Sequence, residues 1–428
     1  MTGGPGQGPR LCVLGMGGSV DQTLPPLAEA LRPRLPGLEI VLLDLQPCHL
    51  RAPGRMRGSG ADRRLAVTPR DLGVRTPAAS WSLNLILQGG CRAYRRMVAR
   101  AGRLLDDLGA DAVLCVHDRL YPETAVLQAA RARGLPTALL QEGPFCVIGH
   151  GAASAPGLKL KYALAPLAER FGLLPGMPDY GTFGHSLVMA AAEDYRQRWI
   201  AAGVPAERVQ VTGVPRYDGL PAVRAARDRQ AAAAIPEITV LLQPFGRHGK
   251  VAPAAAAAGM ATLAEGLNTL LAGRRARLTI RPHPRAPNEI ESLTQHLRVP
   301  WNPDDPARPF PERMRSLALA AGFYSSALLE AAAAGVPVLG VRLPPAAFAE
   351  PDEAAKQDRL HDLGLPLAAT PAELAATAGS LLDGAVPAMA PEAEIGPLDG
   401  GAAQRAATAL AALLERDPVP VAATRAGG

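Results

Sequence analysis

Residues 318–341 read ALAAGFYSSALLEAAAAGVPVLGV, and this stretch decides the fold prediction. An apolar run of strand length ends at the pair Ser325-Ser326, a helix-forming run follows, and Gly335 and Pro337 precede a second apolar run. Apolar strands that alternate with helices are typical of a parallel sheet covered on both faces. The stretch is long enough to cross a bilayer, but its glycines, serines and proline stand at turn positions. It therefore predicts a buried βαβ unit.

The same alternation continues on both sides of this stretch. Other apolar runs of strand length lie at 11–16, 40–44, 112–116, 137–141, 186–190, 208–212, 238–242 and 277–280. A chain of 428 residues is too long for one ordinary core. We therefore predict an α/β protein with two Rossmann-like domains that face a central cleft. The expected domains are residues 9–220 and 237–416, joined by a linker at 221–236.

Basic charge is concentrated on one predicted helix. The net charge is +6 and the pI is about 9.3. Within residues 78–108, arginines at i, i+3, i+4, i+8 and i+11 form a continuous arginine face: Arg92, Arg95, Arg96, Arg100 and Arg103. This face is either solvated or contacts anionic lipid headgroups or an acidic glycan. Aromatic residues make up only 4% of the chain, so nucleic acid is not an expected partner.

The cysteines bear on the cellular compartment. All five precede residue 147, and none forms a CxxC pair. This pattern argues against a zinc site and a disulfide framework, and favours a reducing compartment. The first residues show no charged-then-apolar signal pattern. We expect a cytoplasmic protein, with peripheral contact at the inner membrane left open.

Polar residues at two strand ends predict a phosphate site. Arg281-Pro282-His283-Pro284 follows one apolar run, and Ser325-Ser326 follows another. A helix that begins after such a turn presents N–H groups, hydroxyls and its dipole to an anion. An imidazole flanked by two prolines is a preorganised donor for the same anion. The alternatives are a structural histidine at a sheet edge and plain N-capping by the serines.

Acidic residues at strand ends are candidates for proton transfer. Gln141-Glu142-Gly143 follows the run at 137–141, and Glu142 is the first candidate for a general base. Asp118 and Glu123, beside His117 at the preceding strand end, are further candidates. No Asp-x-Asp pair stands where a transferase would hold a metal ion, so neither a metal nor another cofactor is expected.

Together these motifs resemble GT-B glycosyltransferases. The closest pattern is that of bacterial sialyltransferases, polysialyltransferases and Kdo transferases, which share an acidic-acidic-Gly, a His-Pro and a Ser-Ser motif in this order. Here they are Gln141-Glu142-Gly143, His283-Pro284 and Ser325-Ser326. The resemblance covers residues 110–345. Gln141 departs from the pattern, because that position usually carries the acidic base.

The resemblance implies a role for each matching residue. His283 would contact the phosphate of the leaving nucleotide, Glu142 would act as base, and Glu330 would accept hydrogen bonds from ribose. Other implied donor-binding residues are Arg281, Ser325, Ser326, Gln243, Arg247 and Gly213. The glycine-rich turn Gly17, Gly18 and Ser19 would lie on the acceptor side.

The expected function is transfer of a sugar from a nucleotide-activated donor to a surface-polysaccharide or lipid-linked acceptor. A CMP-linked acidic sugar is the preferred donor. Two enzyme alternatives share the architecture: a UDP-N-acetylglucosamine 2-epimerase-like enzyme, which needs no acceptor, and a CDP-glycerol-type transferase. A further alternative is a catalytically inactive nucleotide-binding scaffold in capsule assembly, which Gln141 keeps open.

Overall fold

The chain forms two compact units in a computed structural model. The structure describes residues 8–17, 20–50, 56–146, 148, 166–229, 235–245, 249–283, 287–305, 308–349, 351–385 and 389–415. The first unit contains the described residues up to 148, those from 166 to 218, and those from 394 onward. The second unit contains the described residues from 219 to 393.

The first unit is built on a parallel sheet of seven strands in the order β3-β2-β1-β4-β5-β6-β7. The strands are β1 (Arg10–Gly15), β2 (Glu39–Asp44), β3 (Arg63–Ala66), β4 (Ala112–Cys115), β5 (Thr137–Leu140), β6 (Leu187–Ala190) and β7 (Val209–Val211). The helices between them are α1 (Val20–Leu31), α2 (Trp81–Leu87), α3 (Cys91–Leu108), α4 (Tyr121–Ala132) and α5 (Glu193–Ala201). The central strands are buried on both faces, which explains their continuous apolar sequence.

The second unit is built on a parallel sheet of six strands in the order β10-β9-β8-β11-β12-β13. Its strands are β8 (Glu237–Leu241), β9 (Arg277–Arg281), β10 (Trp301–Pro303), β11 (Leu319–Gly322), β12 (Val338–Val341) and β13 (Leu367–Ala368). Its helices are α6 (Leu220–Asp228), α7 (Pro253–Ala272), α8 (Glu291–Thr294), α9 (Phe310–Met314), α10 (Ser326–Ala333), α11 (Pro351–Asp362) and α12 (Pro371–Leu382).

The predicted fold class is confirmed by these two parallel α/β sheets. The apolar stretch 318–341 folds as β11, α10 and β12, with β11 and β12 paired in parallel. Among the described residues, no helix is long and apolar enough to cross a membrane.

The chain then passes through α13 (Glu392–Ile395) to α14 (Ala402–Leu414), which packs in the first unit. The sequence placed α14 with the second domain, whereas its buried alanines and leucines share a core with α1 and the first sheet. The Asp218 carboxylate accepts hydrogen bonds from the backbone N–H groups of Ala402 (2.9 Å) and Ala403 (2.8 Å). This anion at the helix N-terminus fixes where α14 begins. Helical periodicity shows that a helix has an apolar face, but not which sheet that face covers.

Candidate active site

The connection from β4 to α4 carries a histidine–glutamate pair. His117 Nδ1 lies 2.8 Å from Glu123 Oε2. Glu123 is in the first turn of α4 and is fully buried, whereas the His117 side chain is 39% exposed. The buried carboxylate therefore fixes the orientation of an imidazole that remains accessible from solvent.

Burial and pairing act against each other in this pair. Burial lowers the pKa of His117, but the Glu123 carboxylate and, to a smaller extent, Asp118 raise it, and the net direction is upward. Burial raises the pKa of Glu123, and His117 only partly offsets this increase. Both groups therefore hold a proton more tightly than they would in water. A carboxylate and an imidazole that share a proton in this way are suited to proton transfer.

Asp118, the next residue, is buried and bound to a second histidine. Its Oδ2 accepts a hydrogen bond from the backbone N–H of Gly181 at 3.0 Å and lies 3.1 Å from His185 Nε2. The other His185 ring nitrogen, Nδ1, lies 3.2 Å from Thr137 Oγ1. Asp118 is 0% exposed and His185 1% exposed. This arrangement attaches the chain around residue 181 to the end of β4.

Each of the two buried acids has one oxygen without a protein partner. Among the described residues, Asp118 Oδ1 and Glu123 Oε1 are buried and accept no hydrogen bond. Leaving a buried polar atom unpaired costs free energy and needs an explanation in a native structure. At a strand end in an α/β sheet, a proton-transfer role is a suitable explanation.

The end of β5, the strand next to β4, carries Gln141 and Glu142. Gln141 is fully buried; its Oε1 accepts from the backbone N–H of Ala191 (2.9 Å) and its Nε2 donates to the carbonyl of Gly143 (3.0 Å). The amide thus joins the ends of β5 and β6, a task that requires one acceptor and one donor. Glu142 is half-buried.

Tyr180 packs against the end of β4. Its hydroxyl donates to the carbonyl of Val116 at 3.1 Å, and its ring centroid lies 6.2 Å from that of His117. Burial raises the pKa of Tyr180 well above its usual value, and the negative charges of Asp118 and Glu142 add to this increase. His117, Asp118, Glu123 and Glu142 therefore belong to one electrostatic cluster.

The predicted glycine positions of the first unit lie elsewhere in the sheet. Gly17 follows β1, and its carbonyl accepts from the N–H of Val20 at 3.2 Å. Gly18 and Ser19 lie outside the described residues. Gly213 follows β7 with φ +78°, and a Cβ at this position would stand 3.0 Å from the Cβ of Ala402. The structure thus explains Gly213 by its backbone conformation and by packing against α14, while its donor-binding role stays a prediction.

In the second unit, four predicted residues lie at the ends of the neighbouring strands β9, β8 and β11. Ser325 is the N-cap of α10, where its Oγ accepts from the N–H of Leu328 at 3.4 Å, and Ser326 is the first helical residue. Gln243, after β8, donates from Nε2 to the carbonyl of Tyr324 at 2.5 Å. His283, just after β9, is half-buried. The sheet therefore brings Gln243, His283 and the Ser-Ser turn to one edge.

Arg281 has a structural contact that the sequence did not show. Its Nη1 lies 2.8 Å from Asp304 Oδ2, and its Nη2 donates to the carbonyl of Arg308 at 2.7 Å. These contacts join the end of β9 to the chain that follows β10. Glu330 is half-buried on α10, and Arg247 lies outside the described residues. For all three, binding of the donor stays a prediction.

An apolar cavity of about 400 Å³ lies in the second unit beside this edge. Its walls include Phe245 after β8, Phe348 after β12, and Ala256 and Met260 of α7. Nearby, Lys250 Nζ lies 2.7 Å from the buried carboxylate of Glu353. The positive charge of Lys250 is therefore already balanced within the protein. Within the described ranges, no cluster of three or more His, Cys, Asp or Glu side chains could hold a metal ion.

Sequence reasoning missed His185 and the amide clamp of Gln141. The His185–Asp118 pair joins residues that are 67 positions apart, so no local pattern indicates it. From the sequence alone, Gln141 stands out only as a departure from the family pattern, not as a structural amide. An amide stands directly after a buried strand, where a carboxylate was expected. This indicates a side chain that must both donate and accept a hydrogen bond, which an ionised carboxylate cannot do.

No protein-family model matches the chain, and no curated protein matches it significantly. Solved structures are similar along nearly the whole length. The UDP-GlcNAc 2-epimerase from Neisseria meningitidis, bound to UDP-GlcNAc, has 15% identity and a TM-score of 0.54, covering 95% of this chain and 99% of that one. The enzyme from Methanocaldococcus jannaschii, in complex with UDP-GlcNAc and UDP, has 12% identity and a TM-score of 0.54, with coverage of 94% and 99%. The enzyme from Rickettsia bellii has 12% identity and a TM-score of 0.51, with coverage of 95% of each chain.

At these identities the similarity shows the fold: the chain has a GT-B-like fold of two α/β units. The same neighbours contradict the predicted transfer of a CMP-linked acidic sugar to a glycan, and they agree better with the alternative of a 2-epimerase-like enzyme. The prediction failed because the motifs at the strand ends indicate a phosphate group. Donors of many kinds share that group, so the motifs do not identify the base, the sugar or the reaction.

Proposed function

We propose that the chain is an enzyme that acts on a nucleotide sugar, and that it inverts C2 of a UDP-linked 2-acetamido sugar. The fold similarity to UDP-GlcNAc 2-epimerases over at least 94% of this chain supports the proposal. The observation that carries it is the His117–Glu123 pair, which lies one strand away from Glu142.

Inversion at C2 sets a clear chemical requirement. One group must remove the C2 proton from one face of the sugar, and a proton must return to the other face. Loss of this proton is easiest when the C2–H electron pair forms a C1=C2 double bond and UDP leaves with the C1–O electron pair. The epimer then forms when UDP adds back to C1 and a proton returns to the opposite face of C2. The enzyme therefore needs proton-transfer groups near the sugar and donors near the phosphate.

The first unit supplies the proton-transfer groups in this proposal. His117 and Glu142 follow neighbouring strands, and both retain contact with solvent. Glu123 acts as a positioning residue, because it holds the imidazole by Nδ1 and leaves Nε2 for the substrate. Asp118 is more deeply buried and adds negative charge that raises the pKa of His117.

The second unit supplies the phosphate donors in this proposal. The N-terminus of α10, with the hydroxyl and N–H of Ser326, would hold the diphosphate. His283 would donate to the same group at the end of β9. In the same proposal, Glu330 accepts hydrogen bonds from the ribose and Gln243 helps to bind the nucleotide sugar.

The test is incubation of the protein with UDP-GlcNAc in D₂O, without any acceptor, followed by proton NMR. We expect the C2 epimer to form and to carry deuterium at C2. His117→Gln and Glu142→Gln should each lower the rate by about 10²- to 10⁴-fold, the usual contribution of a proton-transfer group. His361→Gln is the matched control, because His361 is an exposed histidine on α11.

Binding of UDP, followed by calorimetry, separates a loss of chemistry from a loss of folding. His117→Gln and Glu142→Gln should retain the wild-type affinity for UDP, whereas His283→Ala should weaken it. UDP binding without any exchange at C2 would leave the scaffold alternative. Absence of binding to UDP would remove the nucleotide-sugar proposal altogether.

A further inference from the structure

Six large apolar side chains are strongly exposed, and they lie in two segments of the first unit. They are Leu83 (46% exposed), Ile86 (42%), Leu87 (63%), Leu167 (49%), Phe171 (71%) and Leu173 (47%), and no other large apolar side chain of the described residues is as exposed. We refer to these six as the apolar patch. Single exposed apolar residues are common, but a cluster of this kind marks an interaction surface.

The two segments of the apolar patch are adjacent in space. The backbone N–H of Cys91, at the start of α3, donates to the carbonyl of Gly172 at 3.0 Å. A Cβ on Gly90 would stand 2.5 Å from the carbonyl oxygen of Leu173. The start of α3, which follows α2 after a short turn, and the chain at 172–173 are therefore packed backbone to backbone, which joins the two segments into one surface.

The outward direction of the α2 side chains is fixed by a buried amide. Asn84 is 0% exposed; its Oδ1 accepts from the N–H of Ala78 (2.9 Å) and its Nδ2 donates to the carbonyl of the same residue (2.7 Å). Leu83, Ile86 and Leu87, at i, i+3 and i+4, form the exposed side of α2. The helix thus buries Asn84 and Leu85 and exposes three large apolar side chains, whereas an ordinary surface helix exposes polar ones.

The arginine face of α3 adjoins this patch. All five of its arginines are exposed, and none forms an ion pair within the described part of the chain. Arg96 Nη2 donates to the carbonyl of Gln88, just after α2, at 3.0 Å. The surface therefore combines exposed apolar side chains with a row of uncompensated positive charges.

We propose that the apolar patch and the arginine face together dock the protein on an anionic lipid bilayer. Apolar side chains that insert at the acyl boundary, next to basic residues at the headgroups, form an interfacial membrane site. A second copy of the chain fits this surface less well, because a two-fold interface would bring the two arginine faces together. The proposal is independent of the proposed epimerisation.

The experiment is sedimentation of the full-length protein with lipid vesicles. One set contains phosphatidylcholine alone, and the other contains phosphatidylcholine mixed with phosphatidylglycerol. We expect binding to the anionic vesicles and weak binding to the neutral ones. Binding should decrease strongly in about 1 M salt, where the Debye length is only ~3 Å.

Two variants separate the two parts of the surface. The triple variant Arg92→Gln, Arg95→Gln and Arg103→Gln should weaken anionic-vesicle binding by roughly 100-fold, because each basic residue near such a surface contributes about a fivefold factor. The matched control is the triple variant Arg275→Gln, Arg298→Gln and Arg315→Gln, which removes the same charge from exposed arginines of the second unit. It should bind like the wild type.

The double variant Leu87→Ser and Phe171→Ser should lose most of the binding while its circular dichroism spectrum stays unchanged. Equal binding of both triple variants would overturn the role of the arginine face. Absence of binding to anionic vesicles by the wild-type protein would overturn the proposal. If the double variant instead converted a dimer into a monomer without affecting vesicle binding, the patch would be an interface between copies and the proposal would be wrong.

Discussion

Replacing Gln141 by glutamate should destabilise the first unit in a pH-dependent way. The wild-type amide is fully buried, accepts from the N–H of Ala191 and donates to the carbonyl of Gly143. An ionised carboxylate keeps the first hydrogen bond but turns a negatively charged oxygen toward the Gly143 carbonyl. The substitution replaces only the side-chain NH₂ group by an oxygen atom, so it isolates the role of the amide donor.

The magnitude follows from the lost donor. Leaving a buried carbonyl without its donor costs about 1–3 kcal/mol, and the burial of a charge adds to this. We expect the Gln141→Glu protein to unfold with a free energy lower by about 3 kcal/mol at pH 7.5. By linkage, this value corresponds to a carboxyl pKa raised by about two units above an unfolded value of about 4.3.

The sign of the pH dependence is determined by the same shift. Below the unfolded pKa the carboxyl is protonated in both states, and its O–H can donate to Gly143 in place of the amide. Between the pKa of the unfolded state and the higher pKa of the folded state, the carboxyl ionises only in the unfolded protein. The loss of unfolding free energy therefore increases by about 1.4 kcal/mol per pH unit in this range. It then reaches a plateau near neutral pH.

The assay is urea unfolding between pH 4 and 8, followed by tryptophan fluorescence. In a Trp301→Phe background the remaining tryptophans, Trp81 and Trp199, both report on the first unit. The control is Gln88→Glu, because the Gln88 amide donates to the carbonyl of Arg75 at a solvent-exposed position. Water can replace that contact, so the control should lose less than about 1 kcal/mol. Equal stability of the Gln141→Glu and wild-type proteins at pH 7.5 would refute the reasoning.

Three further outcomes are expected. Removing the charge of the buried carboxylate by Glu123→Gln should lower the pKa of His117, because only Asp118 then opposes the effect of burial. The part of the pH–rate profile that reports His117 should move to lower pH, and an unchanged profile would contradict the pairing. Gly213→Ala should cost more unfolding free energy than Gly203→Ala: both glycines have positive φ, worth about 1 kcal/mol, but a Cβ at Gly203 has no neighbour within 4 Å. Cys91 should react first with a thiol reagent at neutral pH, as mass spectrometry would show, since burial raises the pKa of Cys12, Cys48 and Cys146 to about 12 and that of Cys115 well above its usual value.

The sequence predicts the fold well wherever burial on both faces produces a continuous apolar run. The stretch 318–341 shows this clearly, because a strand, the cap Ser325, a helix and a second strand each have a local signal. The pairing of β8 with β9 and β11 cannot be read in this way, since it depends on contacts between distant residues.

The candidate site likewise has features with a local sequence signal and features that depend on distant residues. The sequence locates polar residues at strand ends, and the structure brings His117, Asp118 and Glu123 together as expected of neighbours in the chain. The sequence does not indicate that Arg281 pairs with Asp304 or that Asp118 pairs with His185, because these partners follow or precede other strands. The reaction was the least predictable part. A phosphate-binding turn recognises a group that transferases and epimerases both use, whereas the fate of the sugar depends on a few side chains around C2.

The position of α14 in the chain has a consequence for synthesis. The described residues of the second unit, 219–393, come between the first sheet and the helix that completes its covering layer. While a ribosome makes this chain, the seven strands of the first sheet and α1 emerge early, but part of one face stays uncovered until residues 402–414 follow. The second unit can close its own core in the meantime. The half of the protein that is made first is therefore the half that finishes folding last.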